Sequence, residues 1–147
     1  GRGLYPGPSP RVAGIMRPMS DFPRELAIRT TLLPRDTNAA GAIFGGVILS
    51  QIDMAGAIPG HKLNPERRFV TVAMDEVVFH RPVFVGDLLS IYAQVVKVGR
   101  SSFTAKVDVM VERRHRPGDE VQVTEAQVTY VAVDENRVPV PIFPDAE

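Results

Sequence analysis

The residues best suited to chemistry lie in one stretch, TNAAGAIFGGVILSQIDMAGAI, residues 37–58. Between Thr37 and His61 it carries a single formal charge, Asp53. A carboxylate is rarely buried unless it is paired or used. Seven positions earlier stands Gly46, preceded by Gly45. If a helix opens at this glycine pair, its first free N–H groups and the positive end of its dipole can hold an oxyanion. Glycines there also let a substrate approach closely. Seven positions are two helical turns, so Gly46 and Asp53 share a face. A carbonyl held at the helix start then lies on the face of a carboxylate that can orient or deprotonate a water. Each feature also has a purely structural account. Asp53 can be bonded to a neighbouring backbone or to a second subunit, and paired glycines also serve tight helix packing.

The surrounding pattern supplies elements to position these groups. LAIRTTLL (residues 26–33) is β-branched and apolar and stops at Pro34, so it reads as a strand. Residues 34–43 read as a loop, and Phe44 to Ile58 as a helix closed before Pro59-Gly60. Ile48, Ile52 and Ala55 recur at helical spacing while Val47, Met54 and Ile58 fill much of the remaining surface, the pattern of a buried helix. Four long strands follow, over residues 68–83, 87–99, 101–114 and 121–135. In the third, Phe103, Ala105, Val107, Val109 and Val111 alternate with Thr104, Lys106, Asp108 and Glu112. In the fourth, the apolar phase slips near Thr124-Glu125, which predicts a bulge. Gly99-Arg100 and the PGD of residues 117–119 are hairpin turns. Short connections make antiparallel neighbours, so the expected fold class is α+β: one long central helix wrapped by an antiparallel sheet of about five strands. Strands apolar on both sides, as in Val70 to Val78, leave surface to be covered and predict dimerisation.

Bulk properties narrow the function. The 147 residues suit one domain, 44% hydrophobic and 23% charged. Seventeen basic and seventeen acidic residues cancel, which points away from nucleic acid and from an anionic membrane. No run approaches a membrane span, and Val12 to Met16 is too short for a signal-peptide core. The absence of cysteine excludes thiol catalysis and fits the cytoplasm. With three histidines and no cysteine, no metal site and no cofactor are expected. Residues 1–23 are rich in proline and glycine and are expected to form an extended arm, in part a cloning remnant because no initial Met is present. Residues 24–147 form the single domain.

Residues 37–58 resemble the acyl-CoA thioesterases of the hotdog fold, and more narrowly the bacterial short-chain acyl-CoA hydrolases related to the cytosolic acyl-CoA thioesterases. The resemblance continues through RFVTVAMDEVVFHRPVFVGDLL (residues 68–89) and KVGRSSFTAKVDVMV (residues 97–111), covering roughly Leu26 to Val133. It implies hydrolysis of acyl-CoA to fatty acid and CoA, with CoA entering as part of the substrate. It also implies sites shared between two subunits of a homodimer, commonly grouped as a trimer of dimers, a hexamer. Gly45 and Gly46 would start the helix that polarises the thioester carbonyl, and Asn38 would lie in the loop beside the acyl group. Thr71, from the facing subunit, would line the site. Lys97, Arg100, Ser101 and Ser102 would meet the nucleotide end of CoA, whose phosphates need cations and hydroxyl donors.

One position departs from the resemblance. Where many close relatives carry an aspartate held to be base or nucleophile, this chain has Ala42. Alanine can do neither job. Asp53 is then the remaining acid–base residue, or the chain is a variant inactivated at Ala42, or it is a binder with little turnover. A non-catalytic acyl-CoA-binding or regulatory hotdog protein is accordingly the rival function. Of the other polar groups, His80 is expected to be a solvated or interface side chain. No histidine lies in the loop or on the expected helix, His61 falling just beyond it, which argues against a dehydratase. The RRHR cluster of residues 113–116 is expected to be a solvated hairpin tip, and Asp75-Glu76 to pair with Arg67 or Arg68.

Overall fold

The structure is a computed structural model that describes residues 22–144. Most of the expected arm lies outside the described residues. Its last apolar residue, Phe22, is buried in the core, and its carbonyl accepts from Gln94 Nε2 at 2.8 Å.

The elements run β1 (Glu25–Thr30), α1 (Gly45–Leu63), β2 (Arg68–Phe79), β3 (Leu88–Val98), β4 (Ser102–Glu112) and β5 (Glu120–Val133). The strands form one five-stranded sheet in the order β1-β3-β4-β5-β2, antiparallel throughout. Its alternating inner residues, among them Ile91, Val95, Val107, Val109, Val128 and Tyr130, pack on Ile48, Ile52 and Ala55 of α1. The fold class expected from the pattern is the one observed.

Four details differ from expectation. First, α1 runs through Pro59 to Leu63. Proline removes one intrahelical bond and usually ends a helix, but Pro59 and Gly60 are both buried here. A Cβ on Gly60 would collide with the Phe103 ring, so the glycine admits that contact and the helix continues under tertiary packing. His61 is therefore on the helix, in its last turn. Second, α1 is buried on one side only within a chain. Met54 is 53% exposed, and Val47 and Ile58 are half-buried, because one sheet can cover only one face of a helix. Third, Arg113 is no free hairpin tip. It forms an ion pair with Asp87, which is 3% exposed, and donates from Nη2 to Pro82 O at 3.1 Å. Fourth, Asp75 and Glu76 have no ion pair with Arg67 or Arg68 among the described residues. Seven residues of strand separate Arg68 from Asp75 by about 23 Å, and Arg67 instead donates to Pro141 O at 2.7 Å.

Two consequences for stability are testable. Asp87 also accepts from Phe84 N–H at 2.9 Å. Replacing it with alanine strands the Arg113 guanidinium in a partly buried place, and Asp87→Ala is expected to cost about 3 kcal/mol in urea unfolding. Gly56 lies under Tyr130, where an added Cβ would meet the phenol oxygen. Tyr130 cannot retreat, because its ring stacks on Phe103 at 5.0 Å and Phe69 closes the cluster edge-on at 5.1 Å from Phe103. Gly56→Ala is therefore expected to lose about 1–3 kcal/mol by the same measurement, despite alanine's better helix propensity.

Candidate active site at the start of the central helix

The loop before α1 is built by its own side chains. Asn38 Oδ1 accepts from the N–H of Ala40 at 2.9 Å and of Ala42 at 3.2 Å, and Asn38 N–H donates to Ala42 O at 2.8 Å. Gly41 closes the turn at φ +89°, a conformation natural to glycine. Ile43 N–H then donates to Val83 O at 2.7 Å and Phe44 N–H to Asp36 O at 2.8 Å, which pins the loop to its neighbours. Asn38 thus shapes the loop through its own oxygen.

Phe44 precedes the helix in an extended conformation and supplies no side-chain cap. Val47 N–H donates to Phe44 O at 2.9 Å. The N–H groups of Gly45 and Gly46 have no acceptor among the described residues. They are the orphan donors of a helix N-terminus, left without the capping oxygen that most helices supply.

Asp53 sits two turns on, half-buried. Its Oδ1 accepts from Thr71 Oγ1 at 2.6 Å, and its carbonyl accepts from Tyr130 Oη at 2.7 Å. Burial, followed by the charge of Asp53, pushes the Tyr130 phenol well above its ordinary range, so it remains a donor. The sheet explains the pairing. Thr71 and Tyr130 are register partners on β2 and β5, and both face the middle of α1. Within a single chain, Thr71 thus lies on Asp53.

A cavity of about 300 Å³ opens beside the helix start. Its wall includes Ala42, Gly45, Ile48, Phe79, His80 and Thr124. His80, expected to be a solvated or interface side chain, is exposed and also borders this cavity, with Nε2 2.6 Å from Glu125 Oε2. Its strand, rather than the loop or helix, brings it there. Ala42 gives the wall only a methyl group.

Lys97, Arg100, Ser101 and Ser102 lie at the β3–β4 turn. The next residue, Phe103, packs on Gly60 near the helix C-terminus. Fifteen helical residues separate Gly45 from Gly60, about 23 Å. One chain therefore does not bring this turn to the glycine pair. Sequence reasoning passed over Tyr130, Thr124 and Phe79. A tyrosine inside an apolar strand face was the available signal for Tyr130, and the break in the apolar phase was the signal for Thr124. Among the described residues no group of three His, Cys, Asp or Glu side chains could hold a metal, and no helix is long and apolar enough to cross a membrane.

Comparison with known proteins gives a consistent picture. Residues 40–118 match the thioesterase superfamily. The acyl-CoA thioester hydrolase YciA of Salmonella typhimurium is 42% identical over 130 residues, 86% of this chain and 97% of the relative. The crystal structure of a hexameric hotdog fold thioesterase of Campylobacter jejuni is 47% identical with TM-score 0.75, over 81% of this chain and 90% of the other. An aspartate-to-alanine mutant of a hexameric broad specificity acyl-coenzyme A thioesterase is 43% identical with TM-score 0.76, over 81% and 86% of the two chains.

Proposed function

The chain belongs to the thioesterase superfamily, among its hotdog-fold acyl-CoA thioester hydrolases, and we propose that Asp53 is the base with which it hydrolyses acyl-CoA to a fatty acid and CoA. One observation carries this reading: the free N–H groups of Gly45 and Gly46 stand at the head of the helix on which Thr71 holds the Asp53 carboxylate.

The thioester oxygen accepts hydrogen bonds at the helix start, where the donors are fixed before the substrate arrives. Gly46 and Asp53 are about 10 Å apart along the axis, and the Asp53 side chain leans toward the N-terminus. That interval holds a carbonyl at one end and a water at the other, each at hydrogen-bond distance of about 3 Å. Asp53 takes a proton from the water as its oxygen attacks the thioester carbon. The oxyanion collapses, the C–S bond breaks, and CoA leaves as thiolate. The acyl chain lies in the cavity beside Gly45, whose wall is mostly apolar.

The assembly is part of the same proposal. Val72, Val78 and Phe79 on edge strand β2, with Phe44 and Met54 on and beside α1, are exposed in a single chain. A second copy covering this surface would bury both helices and present its own β3–β4 turn, with Lys97, Arg100, Ser101 and Ser102, to the CoA phosphates. The hexameric relatives support three such dimers. A cytoplasmic location completes the proposal and rests on the cysteine-free sequence.

The rival, a non-catalytic acyl-CoA binder, draws on Ala42. Thiol release from acyl-CoAs of several lengths separates the two, with the parent, Asp53→Ala and Ala42→Asp compared directly. The proposal predicts an active parent and an inactive Asp53→Ala. An inactive parent that gains hydrolysis from Ala42→Asp would assign the base to the loop. Release by none of the three would leave the binder.

A further inference from the structure

Two aromatic rings stand at the free donors of the helix start. The Phe44 ring lies against Gly46, where an added Cβ would come within 2.8 Å of its Cε2. The tip of the Phe79 ring reaches Gly45, with Cζ 3.5 Å and Cε1 3.7 Å from the point a Cβ would occupy. Phe79 also borders the cavity beside Gly45, and it is 51% exposed, so a bound group can touch it.

The sheet aims this ring. Phe79 pairs with the buried Thr124 of β5, and directly opposed residues share a face of the sheet. Thr124 stands in the alternating row of Ala126, Val128 and Tyr130, which faces α1. Just before Phe79 the β2–β5 register shifts between Asp75 and Val78, and Glu76 within this bulge has φ +53°. That conformation is strained for a residue other than glycine, and a bulge re-aims the side chains that follow it. Phe79 lies outside the buried cluster between α1 and the sheet, so shortening it opens space at the site without hollowing the core.

We propose that Phe79 is a specificity residue that sets the width of the site at the acyl α carbon, favouring straight acyl groups over α-branched ones. This rests on the reading of the helix start as the thioester site and of the cavity beside it as the acyl site. A carbonyl oxygen that accepts from Gly45 N–H brings the α carbon to the same spot, because only the carbonyl carbon stands between them. A straight methylene passes beside the ring tip. An added methyl there meets a ring already in ordinary contact distance of the helix start.

The test uses isomeric acyl-CoAs with five acyl carbons: pentanoyl, 2-methylbutanoyl, 2,2-dimethylpropanoyl and 3-methylbutanoyl. They bury similar apolar area and differ in where the branch falls. Thiol release gives kcat/KM for wild type, Phe79→Leu and Phe79→Ala, and each branched substrate is divided by pentanoyl. A branch beside the carbonyl also slows the uncatalysed reaction, so the readout is the change in this ratio between proteins. The ratio compares substrates on one preparation, so a variant that assembles poorly still reports it. Phe79→Leu keeps an apolar side chain and serves alone should Phe79→Ala fail to fold. Phe79→Ala is expected to raise the relative kcat/KM of the two α-branched substrates by about tenfold, with Phe79→Leu in between and 3-methylbutanoyl moving by less than about threefold. Unchanged ratios in the variants overturn the inference while leaving the thioesterase reading intact. An equal rise for 3-methylbutanoyl also overturns it, because the ring would then act along the whole chain. Wild type that releases no thiol from any acyl-CoA overturns the thioesterase reading and the inference with it.

Discussion

Asp53→Asn is expected to lower kcat for thioester hydrolysis by about 10²–10⁴-fold, the usual contribution of a general base. The substitution is nearly isosteric. Asparagine keeps an oxygen that can accept from Thr71 Oγ1, and the Tyr130 bond goes to the residue's carbonyl, which is unchanged. The helix and its packing should survive, and the change should fall on kcat rather than KM. Steady-state thiol release, with circular dichroism to check the fold, reads this directly. A variant that is folded and fully active would remove Asp53 from the chemistry.

Gly45→Pro is expected to lose about 10²–10³-fold in kcat, because it deletes one of the two free donors proposed to hold the oxyanion. The position suits proline unusually well. It is the first helical residue, where proline is favoured because its missing N–H is already an orphan. Phe44 before it has ψ 132°, the extended conformation that a following proline requires. A Cβ at residue 45 meets nothing closer than Phe79 Cζ at 3.5 Å, an ordinary contact. Stability should therefore hold while activity falls. Unchanged activity in a folded Gly45→Pro protein would place the oxyanion elsewhere.

The two halves of the site differ in how they could be read from the sequence. The glycine pair and Asp53 are local: they share one helix, and spacing alone puts them on one face. The strand alternation was local in the same way, so the antiparallel sheet was legible. The partners of Asp53 were not. Thr71 lies eighteen residues away and Tyr130 seventy-seven, and only the register of β2 against β5 brings both to the helix. His80 reaches the cavity for the same reason, through the end of a strand. The helix end was misread because the propensity of Pro59-Gly60 was overridden by Phe103, a contact from another strand. Arg113 looked like part of a solvated cluster until the buried Asp87 was found beside it. Each of these is a long-range contact that no window of sequence contains, whereas the pairing expected of Asp75 and Glu76 with Arg68 failed on strand length alone.

The role of Asp53 as base toward water, rather than as a nucleophile, makes one sharp distinction. A single turnover of acyl-CoA by excess enzyme in heavy-oxygen water, followed by mass spectrometry of the fatty acid and of the Asp53 peptide, reads it. The account predicts one heavy oxygen in the first acid released and none in Asp53. Unlabelled acid from that first turnover, with heavy oxygen in the Asp53 carboxylate, would contradict it.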